Sequence, residues 1–242
     1  MTDGDFQSQL MGYDRASTLF SPEGRIFQVE YAEKTVRLGA DSMGFVCKDG
    51  VLLMADKRML DSLMVGKSIF KIYEIDNHII ASAAGILSDA RVLIERAQLY
   101  AQQHRVTFDD DVEIEAVVRD ICNIKQAFTQ YGGVRPFGVQ IMLAGINIDG
   151  SKRLYVTDVT GNYNAYYAFA IGEHDEKIKE ILRKEYREST INETIKFGLK
   201  IFKKILGKDF NYERIDVMYV RDKDRKAVKL DPEDIKKLDK EK

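Results

Sequence analysis

The stretch Tyr13–Ala32, YDRASTLFSPEGRIFQVEYA, decides how the rest of this chain is read, because it joins a polar N-terminal segment to a strongly marked helix start. Ser21 offers a hydroxyl to free backbone N–H groups, Pro22 lacks an N–H that the first helical position does not need, and Glu23 faces the positive end of the dipole. A helix from Pro22 is therefore predicted. Ile26, Val29 and Val36 fall near one side of it, Phe27 and Tyr31 lie beside them, and Gly39 suits a left-handed stop. Periodicity alone makes this an amphipathic first helix packed on a core.

Outward from that stretch, 242 residues at 45% hydrophobic suffice for one sizeable domain. Lysine plus arginine number 37 against 39 aspartate plus glutamate, and the net charge of −2 offers no overall field for nucleic acid or an anionic membrane. Cys47 and Cys122 each sit in an apolar run, so neither a disulfide framework nor a thiolate zinc site is suggested, and a reducing compartment fits. Residues 1–12, MTDGDFQSQLMG, lack the basic start and apolar core of a secretory leader, and no stretch approaches the ~20 apolar residues of a spanning helix. The expected location is the cytoplasm. His78, His104 and His174 are scattered without ligand spacing, so no metal site and no cofactor are expected.

Met43–Cys47 and Val51–Ala55 flank Lys48-Asp49-Gly50 and read as a β-hairpin. Phe70–Ile75 and His78–Ala84 repeat the pattern around Asp76-Asn77, and these strands are predicted to form an antiparallel sheet. A helix opened by Gly85 follows, with Ser88 as its cap and Ala90, Leu93, Ala97 and Tyr100 on one face. The next, with Asp109–Asp111 at its acidic start, is striped by Ile114, Val117, Ile121, Ile124 and Phe128, and the two should pack side by side. Phe137–Ile148, Arg153–Thr157 and Tyr163–Phe169 return to strand character and give a second sheet. Helices at Glu176–Tyr186 and Ile191–Leu206 precede a last strand, Ile215–Val220. Strands and helices thus come in blocks, which argues for an α+β domain of two antiparallel sheets face to face with helices outside.

The order Tyr13-Asp14-Arg15, then Phe20–Arg25, then Gln28–Ala32 closely resembles the N-terminal segment of proteasome α-type subunits, and compatible order continues to about Leu238. The resemblance implies the four-layer αββα sandwich of the N-terminal-nucleophile hydrolase fold with an extra N-terminal helix: a single domain over 13–242 behind a flexible gating tail, 1–12. From its residues alone that tail reads as a frayed terminus. It also implies a non-catalytic subunit of the 20S proteasome core particle. Such a subunit sits in a heptameric outer ring and gates access to the proteolytic chamber. It meets other α subunits, β-type catalytic subunits, regulatory ATPases or activators with C-terminal docking tails, and unfolded substrates in transit.

Three groups of residues carry over by resemblance. Tyr13, Asp14, Arg15, Pro22 and Tyr31 match the gating cluster. Lys67–Ile72 is similar to the family's SIEKI segment and places the receptor for an activator's terminal carboxylate at Lys71, although Phe70 stands where the family usually has an acid. Ala84-Gly85-Ile86 with Ser88–Arg91 is similar to the family's SGLxADAR turn, so Gly85, Ile86 and Glu30 join Lys71 at that pocket. Tyr131, Gly132, Gly133 and Val134, in the segment running to Gly138, match the lining of the axial pore. Without the resemblance, Lys71 reads as a solvated lysine opening a strand and the glycines as a turn. A phosphate loop is discounted, since no GxxxxGK[ST] pattern is present and the segment leads into a strand.

Catalysis by the β-type relatives needs a threonine at the very N-terminus, its hydroxyl the nucleophile and its amine the base. By resemblance that place falls near Ala40-Asp41-Ser42, where there is no threonine and 39 residues of the fold come first. Asp56 and Lys71 roughly overlie the acid and base positions but lack a nucleophile to serve. The alternative is a self-processing N-terminal-nucleophile hydrolase with its own peptidase or amidase activity, which a chain cleaved to begin at Thr, Ser or Cys would reveal.

Overall fold

Ser21-Pro22-Glu23-Gly24-Arg25 folds as a turn, not as the start of a helix, in the computed structural model, which describes residues 11–58, 63–65 and 69–240. Gly24 N–H donates to Ser21 O and Ser21 N–H to Arg25 O, both at 2.8 Å, while Gly24 sits at φ +75°. Proline presets φ for the second position of a β-turn as readily as for a helix start, and a glycine closing that turn takes a positive φ that no helix accommodates. Gly24 is thus the signal that separates the two readings. Helix α1 runs Phe27–Val36, and the residues it buries are Phe27, Ala32 and Val36, with Ile26 and Val29 only half-buried. Gly39 is not left-handed either; a Cβ there would lie 2.3 Å from Gly85 N, so close approach of two backbones explains it.

Strands β1 (Ser42–Cys47) and β2 (Gly50–Asp56) form the expected hairpin, with Cys47 opposite Gly50 and Lys48-Asp49 as its turn. Strands β3 (Ile72–Asp76) and β4 (Ile79–Gly85) form another. The two hairpins do not share a sheet. One sheet runs β10-β9-β2-β1-β8 and the other β3-β4-β5-β6-β7, where β5 is Val139–Ile146, β6 Lys152–Thr157, β7 Tyr163–Ala165, β8 Ala168–Ile171, β9 Ile215–Arg221 and β10 Ala227–Lys229. Every residue of β1 and β2 is buried, so that hairpin needs cover on both faces, which a facing sheet and a helical layer supply. The single strand expected over Tyr163–Phe169 is broken for the same reason. Tyr166 N–H donates to Leu154 O in one sheet and Tyr167 O accepts from Val46 N–H in the other, both at 2.8 Å, so these two residues carry the chain between layers.

Helices α2 (Leu87–Phe108) and α3 (Ile114–Phe128) cover the β4–β5 side, tied to each other by a bidentate Arg96–Asp120 pair. Ile86, not Ser88, precedes α2 as its cap, and Ser88 lies inside the first turn. Helices α4 (Asp175–Glu185), α5 (Ile191–Leu206) and α6 (Pro232–Lys240) cover the other sheet. Three apolar clusters, one between the sheets and one under each helical layer, make the four-layer α+β sandwich. Ala32 and Val36 anchor α1 to the inter-sheet cluster. Among the described residues no helix is long and apolar enough to cross a membrane.

Lys125 on α3 is fully buried, its ammonium donating to Val139 O and Thr157 Oγ1 at 2.9 Å, and burial pulls its pKa from 10.5 down to about 8. Between those pH values the native chain binds fewer protons than the unfolded one, so this group's contribution to stability rises with pH. In denaturant titrations the wild type should therefore gain on Lys125→Met by up to about 3 kcal/mol over that window. A pH-independent difference would contradict a desolvated ammonium.

Candidate functional site

The Tyr13-Asp14-Arg15 segment is held against the first turn of α1, where Gln28 Nε2 donates to Asp14 O at 2.6 Å. Tyr13 and Asp14 are half-buried, and Asp14 Oδ1 has no hydrogen-bond partner among the described residues. Gln28 and Tyr31 lie one turn apart on α1, so Tyr31 is on the face nearest that segment. Arg25 folds back from the turn onto Glu30 through Nε and Nη2, one edge of its guanidinium, and its charge also lies 5.2 Å from the Phe27 ring centroid. Glu30, expected at the activator pocket, is thus engaged with the turn that carries Pro22. Residues 1–10, Lys67 and Ser68 lie outside the described residues.

Three of the expected elements converge on Gly138. Ile86 N–H donates to Gly138 O at 2.9 Å, and the Thr35 hydroxyl of α1, whose one proton is shared with Ala32 O at 2.7 Å, lies 2.9 Å from the same oxygen. A Cβ on Gly138 would sit 2.6 Å from Thr35 Oγ1 and 2.8 Å from Ile86 Cδ1, and one on Gly85, at φ +117°, would sit 2.2 Å from Gly138 O. Only glycines let α1, the Gly85–Ile86 turn and the end of the 131–138 loop meet this closely. Asp89 completes the junction by accepting two bonds from Arg135 (2.6 and 2.8 Å) and one from Gly138 N–H (2.9 Å). Burial alone would raise the Asp89 pKa, but the Arg135 guanidinium and the Gly138 N–H hold it below the ordinary value. Arg135→Ala is expected to cost about 1–2 kcal/mol, since the pair is half in solvent yet anchors a buried carboxylate. An unchanged midpoint in urea would show the clamp to be idle.

Sequence reasoning passed over Thr35, Asp89 and Arg135. Asp89 and Arg135 stood only inside two stretches matched by resemblance, with no role of their own, and nothing local announces that they pair across the loop. Beyond the junction the loop is open. Tyr131, Gly132 and Gly133 are exposed, Val134 is half-buried, and Gly133 adopts φ +85°.

Lys71 differs from its expected setting: it is 3% exposed, not solvated. Its ammonium donates to Ala83 O at 2.8 Å, and burial lowers its pKa to about 8 against the opposing pull of Asp56. Phe70 beside it is 54% exposed, its ring centroid 5.0 Å from the Lys229 ammonium, which itself pairs with Asp216 at 2.9 Å. An aromatic ring and a held cation therefore stand where the resemblance leads one to expect an acid.

Among the described residues, the neighbourhood of Lys71 contains hydroxyls and carboxylates but no N-terminal nucleophile. Ser82 donates to Lys71 O and lies 2.9 Å from the buried Ser42 hydroxyl. Asp56 is occupied by Arg214 and by Arg58 N–H, and Asp41 by the ring and backbone N–H of His174 at 2.8 Å. Burial raises the Asp41 pKa, with the His174 bonds acting in the opposite direction. Asp41 O accepts from Asp56 N–H and Gly39 O from Glu173 N–H, both at 2.9 Å, so this segment is internal chain and its nitrogens are amides. An amide cannot serve as the base that a terminal amine provides.

The chain matches the family described as "Proteasome subunit" over residues 36–220 and, over residues 13–34, the N-terminal signature of the A-type proteasome subunits. It is 45% identical over 227 residues to a proteasome alpha subunit of Methanocaldococcus jannaschii, covering 93% of this chain and 86% of that one. A proteasome alpha subunit of Archaeoglobus fulgidus is 44% identical over 227 residues, with 93% and 92% covered. One of Pyrococcus abyssi is 44% identical over 228 residues, with 94% and 86% covered.

Proposed function

Because this chain belongs to the proteasome subunit family as a non-catalytic α subunit that assembles with other proteasome subunits, we propose that it forms a heptameric outer ring of the 20S core particle in the cytoplasm and gates it. Residues 1–12 close the axial pore. Tyr13, Asp14, Arg15, Pro22 and Tyr31 hold the open arrangement between neighbouring copies. Lys71, Gly85, Ile86 and Glu30 receive the C-terminal tail of a regulatory ATPase or other activator. Tyr131, Gly132, Gly133 and Val134 line the opening through which unfolded substrates pass to β-type subunits. Among the described residues, no atom beyond its two chain neighbours lies within 4 Å of a Cβ built on Gly132, so packing among them does not require glycine there; crowding of several copies about one axis would.

The observation that carries this reading is the junction at Gly138 O, which links the docking turn through Ile86 to the pore loop and, through the Thr35 hydroxyl, to α1. A tail bound at Gly85–Ile86 would press on the same oxygen that positions the pore loop and the helix bearing Tyr31. Thr35→Val removes the α1 partner. With a hydrogen bond contributing about 1 kcal/mol, activator stimulation should fall about fivefold in assembled cores. Undiminished stimulation, with assembly verified, would break the proposed coupling.

A further inference from the structure

Where the β3–β4 turn meets the loop between α2 and α3, His78 is 1% exposed. Its Nε2 lies 2.8 Å from Val112 O, and because a carbonyl only accepts, Nε2 carries a proton there. The other nitrogen, Nδ1, has no hydrogen-bond partner among the described residues and stands 3.9 Å from Asp76 Oδ2. A buried lone pair turned toward a carboxylate is unfavourable unless a cation, metal or proton, lies between them. Asp111 brings a second carboxylate, so that one ligand atom from each of Asp76, His78 and Asp111 lies within 4.8 Å of the others.

We propose that Asp76, His78 and Asp111 form a site for a divalent transition-metal ion of the zinc class. The Val112 carbonyl fixes the His78 tautomer with Nδ1 toward the ion, the arrangement found behind most metal-bound imidazoles. One imidazole nitrogen with two carboxylate oxygens is a borderline donor set that suits Zn²⁺ or Co²⁺, with water as a fourth ligand, and not the all-oxygen shells of Mg²⁺ or Ca²⁺. Tetrahedral ligands about 2.1 Å from zinc are about 3.4 Å apart, so the cluster contracts by about 1 Å when loaded.

Arg105 has to leave for that to happen. Its Nη2 bonds both Asp76 oxygens (2.8 and 2.9 Å) and Asp111 Oδ1 (2.8 Å), and its side chain, 40% exposed, can turn out to solvent. Arg225 stays: Nη2 lies 3.0 Å from Asp111 Oδ2, and Nε donates to Ile146 O at 3.2 Å. The ion then does Arg105's bridging between the two acids and adds the imidazole that Arg105 leaves unused. Sequence spacing hides the site, because Asp111 comes from a different element than Asp76 and His78.

The full chain, assembled as purified and stripped with a chelator, is titrated calorimetrically with ZnCl₂ and separately with MgCl₂, and its thermal unfolding is followed with each. The expected result is one zinc per chain, a higher midpoint with zinc only, and at least tenfold weaker binding in His78→Gln and in Asp111→Asn. His174→Gln, which removes the other His–Asp pair, should bind zinc as the wild type does. If His78→Gln does not fold, Asp111→Asn on the half-exposed loop decides the matter. No saturable zinc uptake, which would mean a proton is the only cation held, or uptake unchanged in Asp111→Asn, overturns the proposal.

Discussion

Deleting residues 1–12 is expected to raise basal peptide hydrolysis by the assembled core about tenfold and to make it insensitive to activators. Twelve residues reach ~40 Å fully extended and span about 20 Å as a coil, so a ring of such segments can obstruct a pore narrow enough to exclude folded proteins. The energetics are modest: keeping nine pores in ten closed needs only about 1.3 kcal/mol, so a few contacts redistributed between two states suffice. Tyr13→Ala should act in the opposite sense, keeping basal hydrolysis low and blocking activation. It removes the phenol from the segment that Gln28 holds on α1 while leaving the closing residues in place. Equal hydrolysis by full-length and truncated cores, with assembly verified in both, would show that this segment does not gate.

The second large effect is expected at Lys71, where Lys71→Met should reduce activator stimulation to the unstimulated level in cores whose assembly is verified. A single exposed ion pair contributes only ~0–1 kcal/mol, but several tails on one activator make the later contacts intramolecular and raise avidity by ~10² or more. Burial of Lys71 requires an incoming carboxylate to displace its cover before it meets the ammonium away from water. It also sets a pH dependence. The ammonium loses its proton as pH rises through about 8, so stimulation should fade from pH 7 to 9. Met keeps the volume while removing the charge, and full stimulation of Lys71→Met would leave Lys71 as a strut to Ala83 O and nothing more.

Much of this molecule is legible in its sequence, and the gaps have physical causes. Apolar runs around Lys48-Asp49-Gly50 specify a hairpin because turn chemistry is local. Which sheet each hairpin joins is not local: it depends on β1 and β2 being buried on both faces, and that layering is what breaks the Tyr163–Phe169 run at Tyr166-Tyr167. Pro22 misleads because a turn and a helix start ask the same φ of proline, and only Gly24 tells them apart. At the candidate site the motif residues were visible as motifs, whereas the clamp of Asp89 on Arg135, the meeting at Gly138 and the burial of Lys71 arise from contacts between distant segments.

Native mass spectrometry of the full chain, with its intact mass measured beside it, tests the central claim most directly. A non-catalytic ring subunit predicts a closed assembly of seven times the 27.7 kDa chain, each copy unprocessed at Ala40–Ser42. A monomer that does not associate, or a chain cleaved to expose a Thr, Ser or Cys as its first residue, would contradict it.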